Sequence, residues 1–205
     1  DQVRTRSGVP YVAPTTYGFN MGSWMVYDPT TGETGDGAFV VNGSVHTGSF
    51  TDGTSNTLAA AEVKAYQSYV RNTTDPGPMV PSSPTYFATF SGSRKLGPVT
   101  AQNTGHTVYP DGRVHHTGFT TVFTPNTIVP YAFEGETYDI DFSSQQEGKS
   151  DTRITYAAVT SRSYHVGVVH ALLADGSART INENLDLSVW QALGTRNGNE
   201  LVGEF

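Results

Sequence analysis

The chain has 205 residues and a formal net charge of −7, so it can bury a sizeable core but offers no basic stripe for nucleic acid. With no cysteine, disulfides, thiolate metal sites and cysteine catalysis are excluded, and no run of about 18 apolar residues could span a membrane. Apolar residues make up only 36% while Gly and Pro number 22 and 11, which predicts an α+β, β-dominant fold of short strands joined by turns.

Residues 1–16 read as an extended surface segment, and Tyr17–Tyr27 as aromatic and strand-like toward its end. Asp28–Gly37 is a turn-rich loop, followed by a short extended piece from Ala38 to Val45. Asp52 is placed to cap one helical turn through Asn56. The following LAAAEVKAY reads equally as strand or helix, its alanines favouring helix by propensity, and is assigned to a strand only by the family resemblance given below. Four prolines in residues 72–84 require a loop. Tyr86–Ser91, Phe119–Phe123, Thr127–Phe133 and Ile154–Ser163 read as strands, Tyr138–Phe142 as an edge strand, and 145–152 as a mobile loop. Asp186 is a good N-cap for a helix over Leu187–Leu193, with Gly194 as its stop and Leu187, Trp190 and Leu193 on one face. No domain boundary is visible: residues 1–205 read as one domain with a loop-rich insertion over about 72–148.

The strongest local signal is a hairpin. Val168–Ala174 is an apolar run of strand length, and Asp175-Gly176 suits a two-residue type I′ turn. That turn pairs Ala174 with Ser177, Leu173 with Ala178 and Ala171 with Thr180. Val169, Ala171, Leu173, Ala178 and Thr180 then form an apolar face, with His170, Leu172 and Arg179 on a wetter one. The helix at 187–193 is too short to cover a sheet several strands wide. A segment from 72–148 or another subunit is therefore expected on Val169, Ala171 and Leu173.

His165, nine intervening residues and Asp175-Gly176 resemble the signature of a planctomycete-type prepilin-processing-associated family, a pilin-like domain of unknown function. Two further segments are similar to it: Thr51-Asp52-Gly53-Thr54-Ser55-Asn56-Thr57 with the strand after it, and Trp190–Arg196 through Val202-Gly-Glu-Phe205. The resemblance runs from about Tyr17 to the end, and gives His165, Asp175, Gly176, Asp52, Gly53 and Asn56 structural roles. It implies an antiparallel pilin-like sheet with long loop insertions and a short C-terminal helix. Members are expected to begin with a prepilin leader and a long apolar helix. This sequence starts in a polar segment, as expected for a processed soluble part or for a relative working without the stalk.

Few constellations suggest chemistry. His165 and Asp175 as a catalytic dyad would sit on the order of 30 Å apart along an extended strand. Gly53–Thr57 lacks the second glycine of a nucleophile elbow. His115 and His116 would point to opposite sides of a strand, and His165 and His170 differ by an odd number, so the histidines, His106 included, lack zinc-site spacing. Asp28, Glu33 and Asp36 share one Gly-rich loop and form the candidate calcium site; Asp139 with Asp141, and Asp52 with Asn56, are weaker oxygen pairs. Tyr17, Phe19, Trp24 and Tyr27 are an aromatic cluster that belongs to a core or, if exposed, stacks on sugar or on a subunit.

The resemblance implies a non-enzymatic soluble head of a pseudopilin-like, cell-surface or filament-associated protein. Its partners would be copies of itself or other pilin-like subunits, and its location extracellular, cell-surface or periplasmic. No cofactor is expected beyond calcium. An extracellular module for glycans or polymers is the first alternative, and a hydrolase with a dispersed site the second.

Overall fold

The computed structural model describes residues 3–97, 104–200 and 203. The first strands, β1 (Arg4–Arg6) and β2 (Val9–Val12), form a hairpin of their own, so the expected extended segment folds back on itself. Then come β3 (Tyr17–Asn20), β4 (Met25–Tyr27), β5 (Leu58–Glu62), β6 (Ser68–Arg71) and β7 (Ser93–Lys95). A four-residue helix α1 (Val114–Thr117) leads into β8 (Gly118–Phe119), β9 (Pro130–Phe133), β10 (Glu136–Ser143) and β11 (Thr155–Ala158). The chain closes with β12 (Val168–Leu173), β13 (Ala178–Asn182) and α2 (Leu187–Gly194). Asp186 caps α2 as expected, its carboxylate accepting the Ser188 N–H at 2.8 Å. The fold is α+β and β-dominant.

Two sheets carry the architecture. One is five-stranded in the order β13-β12-β5-β3-β8; the other runs β4-β11-β10-β6-β7, with β9 also paired to β10. Alternation explains how both are buried. On β11, Ala157 faces a core shared with Leu58, Val169, Leu173, Trp190 and Leu193, while Tyr156 and Ala158 face a second core with Trp24, Phe87, Ile140 and Phe142. Strands β4 and β11 are therefore a wall with one core on each side.

Several expectations are corrected. Tyr86–Ser91 is not a strand: Pro84 opens a 3-10 helix over Pro84–Thr89, with the Ser83 hydroxyl accepting the Thr85 N–H. Ala38–Val45 holds bends and a turn in place of a strand. Residues 119–123 and 127–133 keep strand only at Phe119 and from Pro130 onward. Strand β10 is not an edge, since β6, β9 and β11 all pair with it. The loop-rich stretch 72–148 supplies β7, β9 and β10 to the second sheet, in keeping with the strands expected within it. Within 145–152, Gln145 and Glu147 are buried.

The hairpin loop opens one residue earlier than expected. Leu172 pairs with Ala178 and His170 with Thr180, while the Leu173 N–H reaches the Ser177 carbonyl at 2.8 Å. The loop is thus the three residues Ala174, Asp175 and Gly176. Gly176 N–H closes a four-residue turn on Leu173 O at 3.0 Å, and Gly176 takes a φ of +88°. Asp175 stays at negative φ because its carboxylate accepts both the N–H and the hydroxyl of Ser177, at 2.8 and 2.7 Å. A one-residue change of register sends the partner strand to the other face. Ala178 and Thr180 accordingly leave the core for the outer face, and Ile181 takes their place inside.

Candidate functional site

Between the sheets lies a buried polar layer. On β10, Ile140 and Phe142 enter the second core, so Asp139 and Asp141 point the opposite way. Both meet Arg162, a buried side chain just beyond β11: Asp141 at 2.5 Å and Asp139 at 2.9 Å. The carbonyls of Thr160 and Ile140 accept further bonds from the same guanidinium. Burial alone would raise the Asp141 carboxyl, but Arg162 and His106 outweigh it and hold it below its ordinary value. His106 Nε2 faces Asp141 Oδ2 across 3.6 Å. Beside them, His115 and His116 stand 4.3 Å apart on α1, on a helical turn and not on the expected strand. Arg71 reaches His115 Nε2 at 2.9 Å. Burial pushes His115 well below the usual imidazole value and His116 down to about 4, so both are neutral at pH 7.

Glu147 closes this layer toward an open cleft of about 670 Å³ lined also by Met21, Val41, Asp111 and Arg113. Its Oε1 accepts the Val114 N–H at 3.0 Å, and burial raises its carboxyl to about 7. The cleft therefore has a carboxyl that exchanges its proton near neutrality.

The outer face of the five-stranded sheet is different. Register puts Ala178, Leu172, Ala60 and Phe19 in one row across four strands, and Phe39 packs against Phe19 with ring centres 4.7 Å apart and planes tilted by 44°. Leu172 is 40% and Phe19 46% exposed. On the next row, Tyr17 pairs with Glu62 and His170 with Thr180. Glu62 Oε2 accepts the His170 N–H at 2.8 Å, and Oε1 lies 3.4 Å from His165 Nε2. Glu62, His165 and His170 offer ligand atoms within 4.8 Å of one another, the one such group of three or more His, Asp or Glu among the described residues. The alternation argument against these histidines fails because His165 is not on the strand. Gly167, at a φ of +75°, bends the chain between them.

The family profile described as "Protein of unknown function (DUF1559)" matches residues 3–188. The chain belongs to the DUF1559 family. No curated protein and no solved structure matches it. In this DUF1559 domain the three segments on which the resemblance was read meet at one corner. Asp175 N–H bonds Thr54 O and Ala174 N–H bonds Thr57 O, while Asp52 N–H bonds Arg196 O. Asp52 was expected to cap the turn at Thr54–Asn56; its carboxylate instead accepts the N–H groups of Gly198 and Asn199, at 2.7 and 2.8 Å. Gly53 takes positive φ and Asn56 bonds the Asp52 carbonyl. Leu201, Val202, Glu204 and Phe205 of the ending lie outside the described residues.

The other expected sites of the DUF1559 domain fall as follows. Asp28, Glu33 and Asp36 are not gathered into a ligand set. Asp28 Oδ1 accepts from Thr30, and both oxygens of Asp36 accept from Ser23. Asp139 and Asp141 do share a face, but around Arg162. Val169, Ala171 and Leu173 are not an interface, since Trp190, Leu193, Val114 and Phe119 bury them within the chain. Helix α2 succeeds as a cover because Trp190 is large and residues from 72–148 fill beside it. The aromatic cluster divides: Trp24 is core, and Tyr17 and Phe19 are exposed. Sequence reading missed Glu62, Glu147 and Arg162. Asp139 and Asp141 on one strand face called for a buried cation, and an acid closing the apolar run Leu58–Ala61 called for a partner.

Proposed function

We propose that this DUF1559 domain is the head of a pilin-like, cell-surface or filament-associated protein that works outside the cytoplasm by assembly and contact, without turnover. The observation that carries the reading is the exposed apolar patch of Leu172, Phe19 and Phe39 around the row that Ala60 joins. Leaving apolar area in water forgoes about 25 cal/mol per Å², and a contiguous patch on a sheet face is a contact surface. Its occupant is a second copy of the chain, in keeping with the resemblance to filament-forming pilins. No helix among the described residues is long and apolar enough to cross a membrane. Light scattering over a wide concentration range should show self-association that Leu172→Glu and Phe19→Glu abolish. A wild-type monomer at every concentration overturns the reading. If that monomer binds a soluble polysaccharide and Phe19→Glu does not, the face is a glycan platform instead.

A further inference from the structure

We propose that Glu62, His165 and His170 form a binding site for a divalent transition-metal ion of the zinc class, on the row beside the assembly surface and using none of its apolar residues. Three protein ligands, two imidazoles and one carboxylate, are a set that zinc accepts with a fourth position open. Metal–ligand bonds of about 2.0–2.1 Å in a tetrahedron put ligand atoms roughly 3.4 Å apart. Glu62 Oε1 and His165 Nε2 already stand at 3.4 Å, and all three ligands lie within 4.8 Å of one another. The site closes by small side-chain rotations, with no change of backbone.

Each ligand is held by a separate part of the fold. Glu62 sits on a central strand, and its Oε2 is anchored on the His170 N–H, which leaves Oε1 to the ion. His170 Nδ1 lies 3.1 Å from the Thr180 hydroxyl. With Nδ1–H donating there, the Nε2 lone pair is free for metal, the arrangement by which outer hydrogen bonds orient ligating histidines. His165 stands on the loop before β12. Its N–H donates to Ser163 Oγ, the Ser163 hydroxyl donates to Val168 O, and the Ser163 N–H donates to Asn126 Oδ1. The His165 and His170 rings meet at 71° with centres 5.0 Å apart. The His165 side chain is 55% exposed, so the fourth position faces water.

The donor chemistry selects the ion. Imidazole nitrogen suits zinc, nickel, cobalt and copper, whereas calcium takes hard oxygen ligands. One carboxylate and two neutral imidazoles leave a bound divalent ion with a net positive charge, and Lys64, two residues after Glu62, is turned onto the Tyr164 ring at 4.7 Å. This also gives the histidine of the His-x9-Asp-Gly segment a chemical role, while Asp175-Gly176 sets the hairpin register that places His170 beside it.

Calorimetric titration of the full chain with zinc alone should give one equivalent bound and a raised melting temperature. His165→Ala, His170→Ala and Glu62→Gln should each weaken binding at least ~10-fold, and Thr180→Val by about 10-fold. His165 is a loop residue, so His165→Ala should keep the metal-free melting temperature and decides the matter if a strand variant misfolds. No binding, or binding unchanged in His165→Ala because the ion sits elsewhere, overturns the proposal. A monomeric protein that binds zinc in this way leaves it standing and removes only the assembly reading.

Discussion

Two groups of histidines and acids divide the molecule by access to water. His106, His115 and His116 lie with Asp141, Arg162 and Glu147 between the sheets, all buried. His165, His170 and Glu62 stand on the outer sheet face, with His165 more than half exposed. The residue types are nearly the same, yet their physics differs. In the buried layer desolvation neutralises His115 and His116 and raises Glu147, while at Arg162 and Asp141 the attraction between opposite charges outweighs it. At the surface water shields the charges, and an imidazole keeps a nitrogen free for a ligand. Burial makes polar groups part of the fold, and exposure leaves them available for binding.

The largest effect should come from breaking the buried side. Asp141→Ala removes the closest carboxylate from a buried guanidinium and should cost ~3–5 kcal/mol in chemical denaturation. A cost below about 1 kcal/mol would show that water reaches the layer and that the contrast with the surface group is false.

Glu147→Gln tests the same contrast through pH. The folded carboxyl titrates at about 7 against an ordinary 4.5, so the folded state holds the extra proton between these values. Its contribution is full below 4.5 and is lost as pH rises through 7. Glutamine keeps the acceptor for Val114 N–H and has no proton to lose. The variant should match the wild type at low pH and exceed it above pH 7, by about 3 kcal/mol at most. His115 and His116 act with the opposite sign: their lowered values give stability present above about 6.5, lost for His116 as pH falls through about 4. Parallel stability curves for wild type and Glu147→Gln from pH 4 to 8 would mean the carboxyl is solvated.

Gly176→Val forces a β-branched residue to positive φ in the hairpin loop and should cost roughly 1–3 kcal/mol in thermal unfolding. An unchanged melting temperature would mean that the loop can turn in another way. The smallest effect belongs to the surface group. Metal-free His165→Ala should lie within about 0.5 kcal/mol of the wild type. A loss comparable to that of Asp141→Ala would make the surface group structural as well and erase the distinction.

Much of the fold was legible because its signals are local. Asp186 announced its helix through the N–H it accepts, and Pro84 and Ser83 carried a helix start that the aromatics of Tyr86–Phe90 disguised as a strand. Leu58–Glu62 became a strand against the propensity of its alanines because β3 and β12 pair with it on both sides. The site was far less legible. Glu62 is 103 residues before His165 by its number, and Asp141 reaches His106 and Arg162 from a different strand, so no spacing rule connects them.

The amino-acid sequence by itself determined the β-dominant class, the reversal at Asp175-Gly176 and the short capped helix, because each rests on neighbouring residues and on the conformations they permit. Only the tertiary structure decided which sheet face is covered. Asp175 takes its hydrogen bonds from Ser177, the loop holds three residues and not two, and that single step carried Ala178 and Thr180 outward. It also decided that the histidines around α1 sink into a layer of ion pairs while His165 turns on Gly167 to meet Glu62 and His170 at the surface. Register and burial are set by long-range packing, and a side chain two atoms from water differs in chemistry from the same side chain sealed between sheets.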